Sequence, residues 1–320
     1  LSRDFVAEAV DVADRFVASE LLVTLFEAGK PVGSLRVSST ALAELQREFD
    51  ASYVLFARRG PVGQRAPSIV KTIQEWLRAR PGTIIVSPDK WMARHSFDAL
   101  LARNTIRALN LFTSGRHDFI SSSALVGFFN PTEDLPGADR EAERVAAHFR
   151  DARLFSRSLA SVSAFTSAPA APVLHLAMHG AFDSANPLQS KLLFHNAIKR
   201  LGPGDPNAVY AKDMTALPLF RGRDLVFAAA CQTGLIAADD ANESEIVGML
   251  RPLLSGGNRN VILSLWKVDD AATADFVDEF YKRLAATRNV RTSFFAAQEE
   301  VRRRYDHPYF WAAFYLAQSN

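Results

Sequence analysis

Cysteine is almost missing from this chain: Cys231 is the single thiol in 320 residues. One thiol excludes an internal disulfide and any cysteine-rich zinc site, and it fits a reducing compartment, the cytoplasm being the expectation. An excess of charge of one sign is missing too, with 37 Lys and Arg against 35 Asp and Glu. Nothing therefore marks a nucleic-acid surface, and the short basic run Arg302–Arg304 reads as a solvated helix face. No run has the form of a membrane span. The longest uncharged stretch, 158–182, holds Pro169, Pro172, several serines and two histidines, the pattern of a loop followed by a strand. The first residues carry charges throughout and lack the form of a signal peptide. Because the chain starts at Leu1, a piece of a longer protein is expected. Internal repeats and low-complexity segments are absent. Gly202-Pro203-Gly204 does not sit between a strand and a helix, which removes the phosphate loop that a flavodoxin-like nucleotide binder needs.

What is present is core. Hydrophobic residues make up 48% of the chain, ample for a large interior. Residues 3–18 carry a broad apolar stripe at helical spacing, and 21–37 read as a β-hairpin turning near Ala28-Gly29-Lys30. Residues 40–49 look helical, 52–58 look like a strand, and 69–80 form an amphipathic helix before Pro81-Gly82. From residue 121 onward, runs of Val, Ile, Leu and Ala alternate with helical patterns. Strands are expected near 121–131, 173–178, 225–230 and 260–266. Helices are expected over 137–150, 245–254, 272–286 and 292–304. That alternation predicts an α/β fold with a mainly parallel sheet covered on both faces. Two halves are expected, 1–120 and 121–320, with the aromatic end 309–318 packed into the core.

Two of the apolar runs end alike. "VLHLAMHG" (173–180) closes on His179-Gly180, and "LVFAAACQTG" (225–234) closes on Cys231 with Gly234 shortly after. In a parallel sheet the working residues lie beyond the carboxyl ends of the strands. A thiolate attacks an amide carbonyl far better than a hydroxyl does, and an imidazole can take its proton and return it to the departing amine. The developing oxyanion needs donors, for which the backbone N–H groups of Gly180 and Cys231 are the candidates.

These segments resemble the CHAT-domain peptidases of the caspase and separase clan. "HLAMHG" (175–180) is similar to the family's histidine motif, "ACQTG" (230–234) to its cysteine motif, 260–284 to the strand and helix that follow, and "HPYFWAAFYL" (307–316) to its C-terminal element. "TIIVSPDKWMARHSFDALL" (83–101) resembles the more variable N-terminal half. The resemblance implies a caspase-like sheet flanked by helices. It also implies Cys231 as nucleophile, His179 as its partner, and a related but catalytically empty N-terminal half. Met178 stands where the family commonly has Thr, so it is expected to shape the substrate pocket. Asp269 and Asp270 follow the Trp266 strand where the clan builds that pocket, and they would receive a basic residue. The bland reading makes Asp270 the N-cap of the next helix. The resemblance further implies a specific protein target, such as a gasdermin-like pore former or another effector in bacterial defence, and an upstream helical-repeat sensing region or activator. No cofactor, metal, nucleic acid or membrane is expected as a partner. His175 and His179 lie four apart, but on a strand and without a third ligand this is not a zinc motif, and His175 is expected to be a hydrogen-bonded core residue. The rival reading is a non-catalytic CHAT-like scaffold that binds partners and cuts nothing.

Overall fold

The computed structural model of the chain describes residues 4–10, 20–27, 30–37, 47, 51, 68–78, 83–87, 95–108, 118–183, 186–229, 245–266 and 269–319. The chain divides into two compact units, 1–115 and 116–319.

In the first unit, strands β1 (Asp4–Val10), β2 (Glu20–Glu27), β3 (Lys30–Val37), β4 (Thr83–Ser87) and β5 (Thr105–Ala108) lie in the order β3-β2-β1-β4-β5. The hairpin expected at 21–37 is β2 and β3, paired antiparallel from Leu21↔Val37 to Glu27↔Lys30. The helix expected over 3–18 is corrected over 4–10 by β1, while residues 3 and 11–18 lie outside the described residues. The residues of β1 pair antiparallel with β2 and parallel with β4, so both edges of the segment are consumed by a sheet. Over seven residues rich in valine and phenylalanine, helical and strand periodicity are hard to tell apart, and pairing on two sides decides for the strand. The readings at 40–49 and 52–58 fall, but for Arg47, outside the described residues. Helix α1 (Ser68–Arg78) buries Val70, Ile73 and Leu77, one stripe at helical spacing. Helix α2 (Phe97–Leu101) ends at Ala102 in the left-handed conformation.

The second unit is a doubly covered sheet in the order β14-β13-β12-β8-β6-β7. Its strands are β6 (Ala124–Phe129), β7 (Asp151–Ser156), β8 (Val173–Ala177), β12 (Leu225–Ala228), β13 (Asn260–Ser264) and β14 (Phe314–Gln318). All pair parallel except β14, which runs antiparallel to β13 and carries the expected apolar C-terminal end. Every residue of β8, β12 and β13 is buried, which is why these strands read as unbroken apolar runs rather than as alternations. One face is covered by α3 (Pro136–His148), α6 (Asp270–Thr287) and α7 (Val290–Arg304). There Phe227 meets Phe280, Phe276 and Phe314 with ring centroids 5.5–6.3 Å apart. On the other face Phe128, Phe165, Phe194 and Phe220 form a second aromatic cluster around α4 (Val162–Ser167). A three-stranded antiparallel sheet, β9 (Gly180–Ala181), β10 (Lys191–Leu193) and β11 (Ala208–Tyr210), follows β8. Helices α5 (Glu245–Ser255) and α8 (Pro308–Trp311) complete the unit. No helix among the described residues is long and apolar enough to cross a membrane.

Strand order fixes where chemistry belongs. From β6 the chain steps to β7 on one side, then returns to β8 on the other and continues through β12 to β13. The direction of winding therefore reverses between β6 and β8. The loops leaving those two strands diverge there and leave a crevice at their carboxyl ends.

Candidate active site

His179 lies at that crevice, two residues past the end of β8 and 6% exposed. Its carbonyl accepts the N–H of Leu193 at 2.9 Å, tying it to β10. This bond makes the neighbouring pair Gly180↔Leu192 a non-hydrogen-bonded pair of the antiparallel ladder. The Gly180 N–H is thus turned away from β10 and not consumed by it. Met178 is completely buried and lines neither of the two cavities described below.

The loop leaving β6 reaches the same place. The N–H of Asn130 donates to the carbonyl of Ala177 at 2.8 Å. Asn130, 1% exposed, sits in the left-handed region at φ 47° and spends its amide on the loop itself. Its Oδ1 accepts from the N–H of Leu135 at 2.8 Å, and its Nδ2 donates to Asp139 Oδ2 at 3.0 Å. Asp139 is gripped by Arg157 at 2.7 Å, whose hydrogen bond is the main cause of a lowered carboxyl pKa there. Residues 130–135 are thereby folded into a fixed turn that presents Asp134 to His179.

His179 Nε2 stands 3.1 Å from Asp134 Oδ1. The same oxygen accepts from Thr132 Oγ1 at 2.6 Å, and Lys199 Nζ holds the other oxygen, Oδ2. Burial alone would raise the Asp134 carboxyl. Hydrogen bonds from Lys199 and Thr132, with the electrostatic influence of His179 and Lys199, outweigh it and hold the group down at about 2. Asp134 is thus an anion across the physiological range. His179 Nδ1 is buried and has no hydrogen-bond partner among the described residues.

A small cavity is walled by Leu135, Ala229 and Ala177, the last of these two residues before His179, with Glu141, Asp270 and Thr273 supplying its polar groups. Glu141 is 3% exposed and Thr273 8% exposed, and the Thr273 hydroxyl has no hydrogen-bond partner among the described residues. Behind Glu141, His175 Nε2 approaches Oε1 at 2.8 Å but off the hydrogen-bond direction. His175 Nδ1 meets the Tyr281 hydroxyl at 2.7 Å. Burial, with the charge of Glu141 adding to it, pushes the Tyr281 pKa well up, so the hydroxyl keeps its proton. His175 stacks between Phe129 and Phe227, the hydrogen-bonded core position expected of it. A second cavity, lined by Leu176, Phe182, Leu192, Phe220 and Tyr315 among others, is almost wholly apolar.

The two sequence-singled aspartates part company here. Asp269 is the N-cap of α6, its carboxylate accepting from Ala271 N at 3.0 Å and Ala272 N at 3.2 Å. The cap expected at Asp270 thus falls one residue earlier. Asp270 opens the helix and reaches into the cavity. Its carboxyl carbon lies where Gly137 leaves space, since a Cβ on Gly137 would stand only 3.0 Å from it. Cys231 lies outside the described residues, as does most of the polar segment 237–245 that follows it. Asp134, Lys199 and Glu141 were not singled out in the sequence. The signal that could have found Asp134 is positional: "NPTEDLP" (130–136) leaves the strand next to the histidine strand.

Comparison with curated proteins finds no significant match. Among solved structures, the chain is similar to the Arg-specific cysteine proteinase gingipain R, at 9% identity and a TM-score of 0.47, over 87% of this chain and 74% of that one. It is similar also to a complex of Porphyromonas gingivalis RgpB pro- and mature domains, at 10% identity and a TM-score of 0.45, over 87% of this chain and 76% of that one. The CHAT domain model matches residues 62–319, from within the first unit to the end of the second. This chain belongs to the CHAT domain family.

Proposed function

We propose that this chain is a cysteine endopeptidase in which Cys231 attacks and His179 moves the proton. One observation carries the reading. Strands β8 and β12 are adjacent, parallel and registered Leu176↔Ala228, and His179 and Cys231 each stand three residues beyond that pair. Membership of the CHAT family supports the same two residues.

The chemistry follows from the atoms. The Cys231 thiol gives its proton to His179 Nδ1, and the sulfur forms a bond to the carbonyl carbon of the substrate peptide. The carbonyl oxygen becomes an anion, for which the N–H groups of Gly180 and Cys231 are the donors. Collapse breaks the C–N bond, and the amine leaves with the proton from Nδ1. Water, giving a proton to the same nitrogen, then releases the acid from the thioester and restores the thiol.

The cavity that Ala177 walls is the pocket for the residue before the cut. Asp270 and Glu141 both line it, and two carboxyl groups there favour lysine or arginine. Asp269 and Met178 border it at one remove, Asp269 by fixing the start of the helix that presents Asp270, Met178 by following Ala177. The substrate is a specific protein, with gasdermin-like pore formers and other defence effectors the first to try, and the reducing cytoplasm suits a free thiol. The first unit is a related, catalytically empty support. Full activity depends on a helical-repeat sensing region or an activator outside this chain, so the chain alone cuts its target weakly although its thiol is already activated by His179.

The test is cleavage of candidate proteins by the unaltered chain, by Cys231→Ala and by His179→Ala. Each substitution should abolish cutting, by several powers of ten and without additivity between them. Cleavage that survives Cys231→Ala would overturn the assignment, and no cleavage by the unaltered chain, with its activator present, would leave the scaffold reading in its place.

A further inference from the structure

We infer that Asp134 is a positioning residue that fixes the tautomer of His179, with Lys199 fixing Asp134 in turn. The inference rests on the peptidase reading for its purpose, but its geometry stands independently. An ionised carboxylate can only accept hydrogen bonds. Asp134, an anion held at about 2, lies 3.1 Å from His179 Nε2, so Nε2 carries the ring proton. The lone pair of the neutral ring is then on Nδ1, the buried nitrogen with no partner among the described residues. That nitrogen is left to take the proton of a thiol and return it to an amine.

Every support of Asp134 keeps the carboxylate in this role. Thr132 Oγ1 donates to Oδ1, the atom that faces His179, and Lys199 Nζ occupies Oδ2. Asn130 anchors the loop to Ala177, in the same strand end that carries His179. The nearest other carboxylate of the loop, Glu133, faces away and approaches His195 Nδ1 at 3.7 Å. The arrangement shares the logic of an acid–histidine pair in hydrolases. There the carboxylate holds the imidazole in one tautomer and orientation and stabilises it when it charges.

This assignment makes an unusual demand of substitutions. Asn is isosteric with Asp, so a role confined to holding the loop would make Asp134→Asn milder than Asp134→Ala. Tautomer control predicts the reverse. Lys199 can only donate, so it captures the amide oxygen of the asparagine and turns its NH2 toward His179 Nε2. Nε2 must then accept, the proton moves to Nδ1, and the lone pair is lost where the thiol needs it.

The experiment uses the full chain with 15N-labelled histidine and iodoacetamide as the thiol probe near neutral pH. Long-range nitrogen spectra should show the His179 proton on Nε2 in the unaltered chain, on Nδ1 in Asp134→Asn, and a mixture in Asp134→Ala. Alkylation of Cys231 should slow by about 100-fold or more in Asp134→Asn and by less in Asp134→Ala. The double variant Asp134→Asn with Lys199→Met frees the amide to turn and should recover part of the loss. An Nε2 proton retained in Asp134→Asn, or a milder effect of Asn than of Ala on both readouts, overturns the inference. If Cys231 of the unaltered chain does not react faster than the thiol of the denatured chain, the peptidase reading fails. The nitrogen spectra still decide whether Asp134 sets the tautomer.

Discussion

The N–H of Asn130 donates to the carbonyl of Ala177 at 2.8 Å, fastening the loop after one strand to the end of the next. Through that bond the acidic turn 130–135 and the histidine segment 178–180 are one construction. Asn130 carries much of the load, with a left-handed backbone and two side-chain hydrogen bonds inside the protein. Replacing it by Ala leaves the part-buried N–H of Leu135 without its acceptor, takes from Asp139 one of its donors and strains the backbone. The substitution should cost roughly 2–4 kcal/mol of stability. Urea unfolding checks this, and a variant within 0.5 kcal/mol of the unaltered chain would show that the turn does not depend on it.

Asp269 and Asp270 should separate cleanly. Asp269→Ala removes a cap that satisfies two N–H groups, and it should lower stability by about 1 kcal/mol with little change in the preferred residue before the cut. Asp270→Asn should barely change stability but should reduce cutting after lysine or arginine by about tenfold relative to cutting after leucine. A peptide library read by mass spectrometry gives both preferences. An unchanged basic preference in Asp270→Asn, lost instead in Asp269→Asn, would move the specificity role to the capping residue.

Acid should reveal the Asp134 anchor. Its carboxyl is depressed to about 2 from an ordinary 3.8, so the native state binds its proton less readily than the unfolded chain does. The stabilisation is therefore complete above the ordinary value and is lost as pH falls through about 2. Because the side chain is half-exposed, the screened contribution is under about 1 kcal/mol. The difference in urea midpoint between the unaltered chain and Asp134→Asn should shrink as pH falls from 5 toward 2. A constant difference across that range would mean that the carboxylate is not the group responsible.

The second unit was largely legible in the sequence because its strands are buried on both faces. Runs such as 173–177 and 260–264 have no polar residue pointing outward to break the signal, apart from His175, Asn260 and Ser264 in the interior. His179 and Gly180 were legible because they end such a run. Three features were not. Strand β1 shows helical spacing over a short span, and only its two neighbours make it a strand. The small sheet β9-β10-β11 is built from two- and three-residue strands whose pairing is set by tertiary contacts. Asp134 approaches His179 across 45 residues of sequence, through a turn held by Asn130 and Lys199, and no local pattern encodes such a meeting.

A peptidyl acyloxymethyl ketone with arginine at its reactive end asks whether Cys231 and His179 act as one unit. The thiolate displaces the acyloxy group and forms a thioether, so intact-mass measurement counts the modified thiol directly. In the native chain the probe should modify Cys231 at neutral pH at least about 100-fold faster than in His179→Ala or in the urea-unfolded chain. Equal rates in all three would contradict a peptidase built on Cys231 and His179.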